Sequence, residues 1–300
     1  MQEVQWDFTP RGNKAHCRIY ILSDVHLGHA ASHKALFKRH IDQIRQDPEA
    51  HVLLLGDLMD GIGTTDKRFQ LSQLDPDCLS ERRDDIINWQ VEAAEDLLGP
   101  ITGKIRLILA GNHEEGLTRH GGGADPLRSL ARRLGLDEPP PGCVLGKPYE
   151  AAYTAYCRLR WPDKTGKYRP HWWTVDLALH HGAGGGRKPG AKVNRVDDRA
   201  SWWPTAQVVA SGHNHSRTLT ERVGISVSAK SFHQEQVTQV CLNTGSYMRT
   251  YMANATGSHY AERGDYPPSA LGGVFVDVAF EDAEVGGERR RNVLLSGGFL

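Results

Sequence analysis

Five short apolar runs punctuate the chain, and each stops abruptly at Gly, Asp, Asn or His. They are RIYIL (18–22) before SDVHLG, HVLLL (51–55) before GDLMDG, IRLILA (105–110) before GNHEE, DLAL (176–179) before HHG, and AQVVA (206–210) before SGHNH. Apolar runs of this length without polar alternation predict strands covered on both faces. Between the first three, apolar residues recur three or four apart: Leu36, Phe37, His40, Ile41 and Ile44 within 31–45, then Ile86, Ile87, Val91, Ala94, Leu97 and Leu98 within 82–98. That spacing predicts two amphipathic helices. Strand and helix alternate through residue 115, the order of an α/β sheet whose ligands collect at the carboxyl ends of its strands.

Residues 116–170 break the rhythm. A glycine-rich turn leads to a short helix with Asp125 as N-cap and Pro126 at its first position, followed by DEPPPG and a hairpin of YEAAYTAYCRLRW and KYRPHWWTVDLAL around PDKTG. This segment reads as an insertion, helix plus hairpin, near the active site of one domain spanning 1–300. The basic stretch HGAGGGRKPGAKVNRVDDR lacks the GxxxxGK[ST] spacing of a nucleotide-binding loop. From Thr238 the pattern turns strand-like, with TQVCL before NTGS and then GGVFVDVAF.

Composition narrows the classes. Lys plus Arg equals Asp plus Glu at 36 each, so no overall field draws the protein to nucleic acid or an anionic membrane, and any recognition of phosphate must be local. The N-terminus lacks an apolar export segment and no stretch is long and uncharged enough to span a bilayer, which predicts no membrane insertion and a cytoplasmic location. Five scattered cysteines form no CxxC pair, so they are expected to be reduced packing residues.

The strand ends collect Asp24 and His26, Asp57, Asn112 and His113, His180 or His181, and His213 and His215. Alternation along a strand would let His213 and His215 converge on one point. Turn chemistry explains each Asp or Asn singly, but not why histidines accompany them at five strand ends. Carboxylate, amide and imidazole without thiolate suit Mn²⁺, Fe or Zn²⁺, and the number of candidate ligands suits a two-metal hydrolytic site with one bridging carboxylate. Such a pair lowers the pKa of a bridging water, so that hydroxide can attack a phosphoryl group without a protein nucleophile.

The blocks DVH, GDLMD, GNHE, HG and GHNH, in that order over roughly residues 19–250, resemble the calcineurin-like metallophosphoesterase superfamily. The later NTGSY resembles the strand that closes this domain in relatives. The resemblance implies a four-layer αββα sandwich of the α/β class with two divalent metals in a cleft. It implies that Asp24, His26 and His215 bind the first metal, that Asp57 bridges, and that Asn112, His213 and the HG-type histidine bind the second. His181, immediately before the glycine, is preferred for that last role, with His180 the alternative. It also implies that His113 protonates the leaving oxygen and that Asp60 orients His113.

The function expected is a two-metal phosphoesterase, a phosphodiesterase acting on a nucleotide or nucleic-acid phosphodiester. LSDVHLGH resembles bacterial members of that kind, and the arginine often found after the phosphatase GDxVD is absent. The alternatives are a phosphomonoesterase or phosphoprotein phosphatase, and a catalytically silent scaffold with the same fold. Glu114 and Glu115 read as first-turn helix residues favoured by the macrodipole. Arg187, Lys188, Lys192 and Arg195 form a basic segment that either meets outlying phosphates or is simply solvated. The pairs Trp172/Trp173 and Trp202/Trp203 either stack on bases or pack, the latter for at least one member of each. His29, His33, His120, His171 and His233 carry no assigned role.

Overall fold

The computed structural model describes residues 1–8, 16–82, 85–120, 125–163, 171–184, 188–227, 234–251, 264–285 and 288–300. Arg187, His233 and the side chains of His120 and His171 lie outside the described residues. The strands are β1 (Gln2–Asp7), β2 (His16–Leu22), β3 (Ala50–Leu54), β4 (Ile105–Ile108), β5 (Cys143–Leu145), β6 (Thr154–Asp163), β7 (His171–His180), β8 (Val208–Ser211), β9 (Arg217–Val227), β10 (Gln234–Thr244), β11 (Val274–Val285) and β12 (Glu288–Phe299). The helices are α1 (Lys34–Gln46), α2 (Pro76–Glu81), α3 (Ile86–Leu98), α4 (Asn112–His120), α5 (Pro126–Arg133) and α6 (Pro189–Trp202).

Two sheets form, one in the order β12-β11-β2-β3-β4 and one in the order β5-β1-β6-β7-β8-β10-β9. The continuous apolar runs have a direct physical use. In β2, Ile19 and Ile21 face the other sheet while Tyr20 and Leu22 face helices; in β3, Leu53 points to the sheet interface and Val52 and Leu54 to the helices. Both faces are therefore dry. Helices α1, α3 and α5 cover the smaller sheet through residues such as Phe37, Ile44, Val91 and Leu130, while α6 lays Val196 and Ala200 on the outer face of the larger one. The layers are helices, sheet, sheet, helix: an αββα sandwich.

The hairpin expected within 116–170 is β6 with β7, paired antiparallel from Thr154↔His180 to Asp163↔His171, and it sits inside the larger sheet between β1 and β8. Its strand β6 pairs β1 in parallel, and Cys157 and Leu159 enter the inter-sheet core. The helix of that segment is α5, with the Asp125 carboxylate accepting the Arg128 N–H at 2.9 Å as an N-cap should. The basic glycine-rich stretch gives rise to α6, opened by Pro189.

Pairings β2–β3 and β3–β4 are parallel, as are β7–β8 and β8–β10. Consequently Asp24, Asp57 and Asn112 follow the carboxyl ends of neighbouring strands in one sheet, and His181 and His213 do so in the other.

Candidate metal centre

The loops after β2 and β3 are laced together by main-chain bonds: Asp24 N–H to Gly56 O at 3.1 Å, and Val25 and His26 N–H to Asp57 O at 2.8 and 3.0 Å. Asp24, His26, Asp57, His213 and His215 adopt left-handed backbone, and only Ala151 and Asp265 share that conformation among the other described non-glycine residues. Such a conformation costs about 1–2 kcal/mol per L-residue, so five at one place mark loops whose shape is held for the direction of their side chains. Alternation predicts that His213 and His215 converge; the structure separates them. Each sits in its own left-handed turn, His213 grouped with Asp57 and His181, His215 with Asp24 and His26.

In the first group the Asp24 Oδ1 atom lies 3.2 Å from His215 Nε2 and 4.0 Å from His26 Nε2, and the two imidazole nitrogens are 3.3 Å apart. Asp24 Oδ1 is buried and makes no hydrogen bond. Its other oxygen is fully employed, accepting from the Ser23 hydroxyl and from the His213 N–H at 2.9 Å. The closing NTGSY segment backs the same residue, with Ser246 Oγ and Tyr247 N–H donating to Asp24 O at 2.9 and 3.0 Å.

In the second group His181 Nδ1 donates to Leu55 O at 2.6 Å, which turns Nε2 toward Asp57 Oδ2 at 3.3 Å and Asn112 Oδ1 at 3.1 Å. Nε2 as a lone pair would make three acceptors meet, an arrangement that needs a proton or a cation among them. Burial alone would lower the His181 pKa, yet the Asp57 carboxylate overrides it and pushes the ring up to about 10. The neighbouring His180 is turned away, its Nδ1 accepting the Gly182 N–H at 2.6 Å. Gly182, at φ 119°, leaves no room for a side chain beside His213, and a Cβ on Gly111 would overlap the Asp57 carboxylate. The two donor groups, the orphaned Asp24 oxygen and the three converging acceptors fit divalent cations.

His113 follows Asn112 at the start of α4. Its N–H donates to Asp57 Oδ1 at 3.0 Å and its Nδ1 to the main-chain carbonyl of Asp60 at 2.5 Å, so that Nε2 is the ring nitrogen left for proton transfer, on a side chain 19% exposed. The Asp60 carboxylate stands back, with Oδ1 at 3.6 Å from both His113 Nδ1 and His26 Nδ1. Orientation of His113 thus passes through the backbone of residue 60. Against the lowering effect of burial, Asp57 and Asp60 raise the His113 pKa.

Sequence reasoning missed Glu114 at this site. Buried under the Asp57 loop, it accepts from the N–H groups of Asp57 at 3.1 Å, Leu58 at 2.7 Å, Met59 at 3.1 Å and Gly111 at 3.0 Å. Its place directly behind Asn112 and His113 was the available signal. Ser23 was missed as well, and it bridges Asp24 to Thr244 Oγ1.

The outlying candidates distribute differently. Arg195 donates to Ala183 O beside the HG loop, and Lys192 is half-buried with its pKa lowered by that burial. Trp173 stacks on Phe280 at 5.1 Å and Trp203 lies against Tyr156 at 5.6 Å, whereas Trp202 is exposed. His29 Nδ1 accepts the Ala31 N–H, and His33 caps α1. No helix among the described residues is long and apolar enough to cross a membrane.

Among solved structures, the chain resembles a predicted phosphoesterase from Streptococcus pneumoniae at 12% identity, covering 95% of this chain and 99% of that one with a TM-score of 0.33. Vacuolar protein sorting 29 from Cryptosporidium parvum gives 13% identity, 95% and 99% coverage and a TM-score of 0.35. NAD nucleotidase from Haemophilus influenzae gives 10% identity, 94% of this chain and 50% of that chain, and a TM-score of 0.37. No curated protein matches the chain by sequence. The model of the calcineurin-like phosphoesterase family matches residues 17–217, the span that carries both donor groups. With that match and a donor set suited to divalent cations, the chain belongs to the calcineurin-like phosphoesterase family and is a metal-dependent phosphoric ester hydrolase.

Proposed function

We propose that the protein is a two-metal phosphodiesterase acting on a nucleotide or nucleic-acid diester, with Mn²⁺ the preferred cation and Fe or Zn²⁺ as alternatives. Asp24, His26 and His215 would hold one cation, Asn112, His181 and His213 the other, and Asp57 both. Bound there, the pair supplies Lewis acidity toward phosphoryl oxygens and acidifies a water for in-line attack. His113 gives the proton on Nε2 to the departing oxygen, and Asp60 keeps its ring aimed by fixing Nδ1.

The observation that carries the preference for a diester is Gly61. It follows Asp60 at φ 64°, and a Cβ there would lie 2.5 Å from the main-chain oxygen of His113, so this position has no room for the arginine often found after the phosphatase GDxVD. The test compares kcat/KM of the Mn²⁺-loaded enzyme on a dinucleotide, a nucleoside monophosphate and a phosphopeptide. The dinucleotide should lead; a clear preference for either monoester would sink the reading.

Two further outcomes are expected. His113→Gln should slow a substrate with a poor alkoxide leaving group by about 10²–10⁴-fold, and one with a nitrophenolate leaving group far less, because a stable anion needs little protonation. Equal losses on both would remove the acid role. Metal binding should also release a proton at pH 8. His181, held cationic to about pH 10 in the metal-free protein, must give up its Nε2 proton to become a ligand, so affinity should rise with pH. Titrating Mn²⁺ calorimetrically in buffers of different ionisation enthalpy measures that proton. Finding none would contradict the ligand assignment of His181.

A further inference from the structure

Arg68 is left unused by the centre as described. It lies in the segment between β3 and α2, with its guanidinium clamped by Asp66 through Nε at 3.1 Å and Nη2 at 2.8 Å. An exposed ion pair of this kind contributes only about 0–1 kcal/mol, so stability does not account for it. The clamp instead fixes the fork while Nη1 has no hydrogen-bond partner among the described residues, and the side chain remains 42% exposed. Its location is set by α4: a Cβ placed on Gly116 would lie 3.7 Å from Arg68 Nη2. Gly116 is three residues after His113, hence on the same helix face and nearly one turn, roughly 4.5 Å, further along. Arg68 and Asp60 also border the same recess of ≈ 10 Å³, together with Gln73 and Phe69. The Arg68 pKa is raised by Asp66 first, with Asp60 and Asp57 adding to it, and Arg68 in turn bears on His113.

Resting on the reading of His113 as the leaving-group acid, we propose that Arg68 is a specificity-determining residue that binds a second phosphate carried by the leaving group. Its guanidinium stands a helical turn beyond the ring that serves the departing oxygen, on the same face. A pre-oriented guanidinium is the side chain suited to bidentate contact with phosphate. In a chain of zero net charge, the N–H donors that Asp66 leaves on this guanidinium give the leaving group an anchor that no general field provides. The preferred substrate is therefore a diester whose leaving nucleoside bears a further phosphate.

The test uses full-length Mn²⁺-loaded enzyme on three substrates: a plain dinucleotide, the same dinucleotide with a terminal phosphate on the leaving nucleoside, and a trinucleotide extended on that side. Wild type should prefer one or both phosphate-bearing substrates over the plain one by about 10–100-fold in kcat/KM, the usual range for one charge-assisted contact. Preference for the terminal phosphate alone identifies a phosphorylated nucleotide, and equal preference for the trinucleotide identifies a strand. Arg68→Ala should collapse the ratio, Arg68→Lys should restore part of it, and Gly116→Leu, which crowds the guanidinium while leaving Arg68 in place, should lower it too. Calorimetric Mn²⁺ affinity of Arg68→Ala should match wild type, which a distorted centre would not. Equal loss on all substrates, or a ratio unchanged by Arg68→Ala, overturns the proposal while leaving the diesterase reading intact. A wild type that hydrolyses none of the three overturns the diesterase reading itself and this assignment with it.

Discussion

Replacing Asp57 by Asn is expected to lower metal-dependent hydrolysis by at least ~10³-fold while leaving the fold intact, since losing several kcal/mol of charge stabilisation in the transition state costs about tenfold per 1.36 kcal/mol. The substitution keeps the shape of the side chain. An amide oxygen in place of Oδ1 still accepts the His113 N–H, so α4 retains its anchor on the β3 loop. What disappears is the charge facing His181 Nε2 at 3.3 Å, on the carboxylate proposed to hold both cations. The same change removes the carboxylate that does most to raise the His181 pKa, so Mn²⁺ binding to the variant should lose the proton release at pH 8 expected of wild type. Circular dichroism checks the fold, calorimetry the Mn²⁺ affinity and a diester assay the turnover. A variant that binds Mn²⁺ as wild type does and keeps activity within tenfold would refute the sharing role of Asp57.

The centre was legible because its chemistry is local in sequence. Each strand ends within a few residues of its functional side chains, so Asp24, Asp57, Asn112, His181 and His213 could be picked out by where an apolar run stops. The strands themselves were legible for the same reason: β2 and β3 are dry on both sides, and that writes an unbroken apolar run. Strand β1 alternates, with Val4 and Trp6 buried and their neighbours half or wholly exposed, and β9 at the sheet edge is largely polar. Strand β1 depends on pairing with β5 and β6, far away in the chain, and β9 on pairing with β10, and periodicity alone reveals neither. Helix α6 was hidden by the glycine-rich lead-in, although Pro189 and the four-residue spacing of Val196 and Ala200 mark it afterwards. The divergence of His213 and His215 follows from the left-handed turns, a backbone state that a two-residue strand rule does not anticipate. Glu114 illustrates a further limit. Its helical position suits the macrodipole, so the pattern gave no reason to look beyond that, but its partners are main-chain N–H groups of a loop more than fifty residues earlier.

That hidden role makes Glu114→Gln the second large effect. Oε2 of the native side chain takes the N–H groups of Asp57 and Gly111, and Oε1 takes those of Leu58 and Met59. A glutamine has one oxygen for this work, and its NH₂ turns a donor toward two donors. Two buried N–H groups then lose their acceptor, at about 1–3 kcal/mol each, which corresponds to a fall in Tm on the order of 10 °C. Burial and the Asp57 charge push the Glu114 pKa up to about 7, yet four converging N–H donors favour the carboxylate, and it is the acceptor count that the variant removes. Since these donors include the main chain of Asp57 itself and of Gly111, which is packed against the Asp57 carboxylate, the loss should reach the metals: Mn²⁺ affinity is expected to drop about 10–100-fold, as for other residues that orient ligands. Leu159→Ala supplies the comparison. Leu159 pairs with Val175 in the inter-sheet core, five residues along β7 from the His180 end, and its truncation should cost about 2–5 kcal/mol without touching the centre. Thermal melts should place the two variants close together, while calorimetry should separate them. If Glu114→Gln binds Mn²⁺ as tightly as Leu159→Ala does, the four-fold anchor serves the fold alone and the coupling from Glu114 to the metals does not exist.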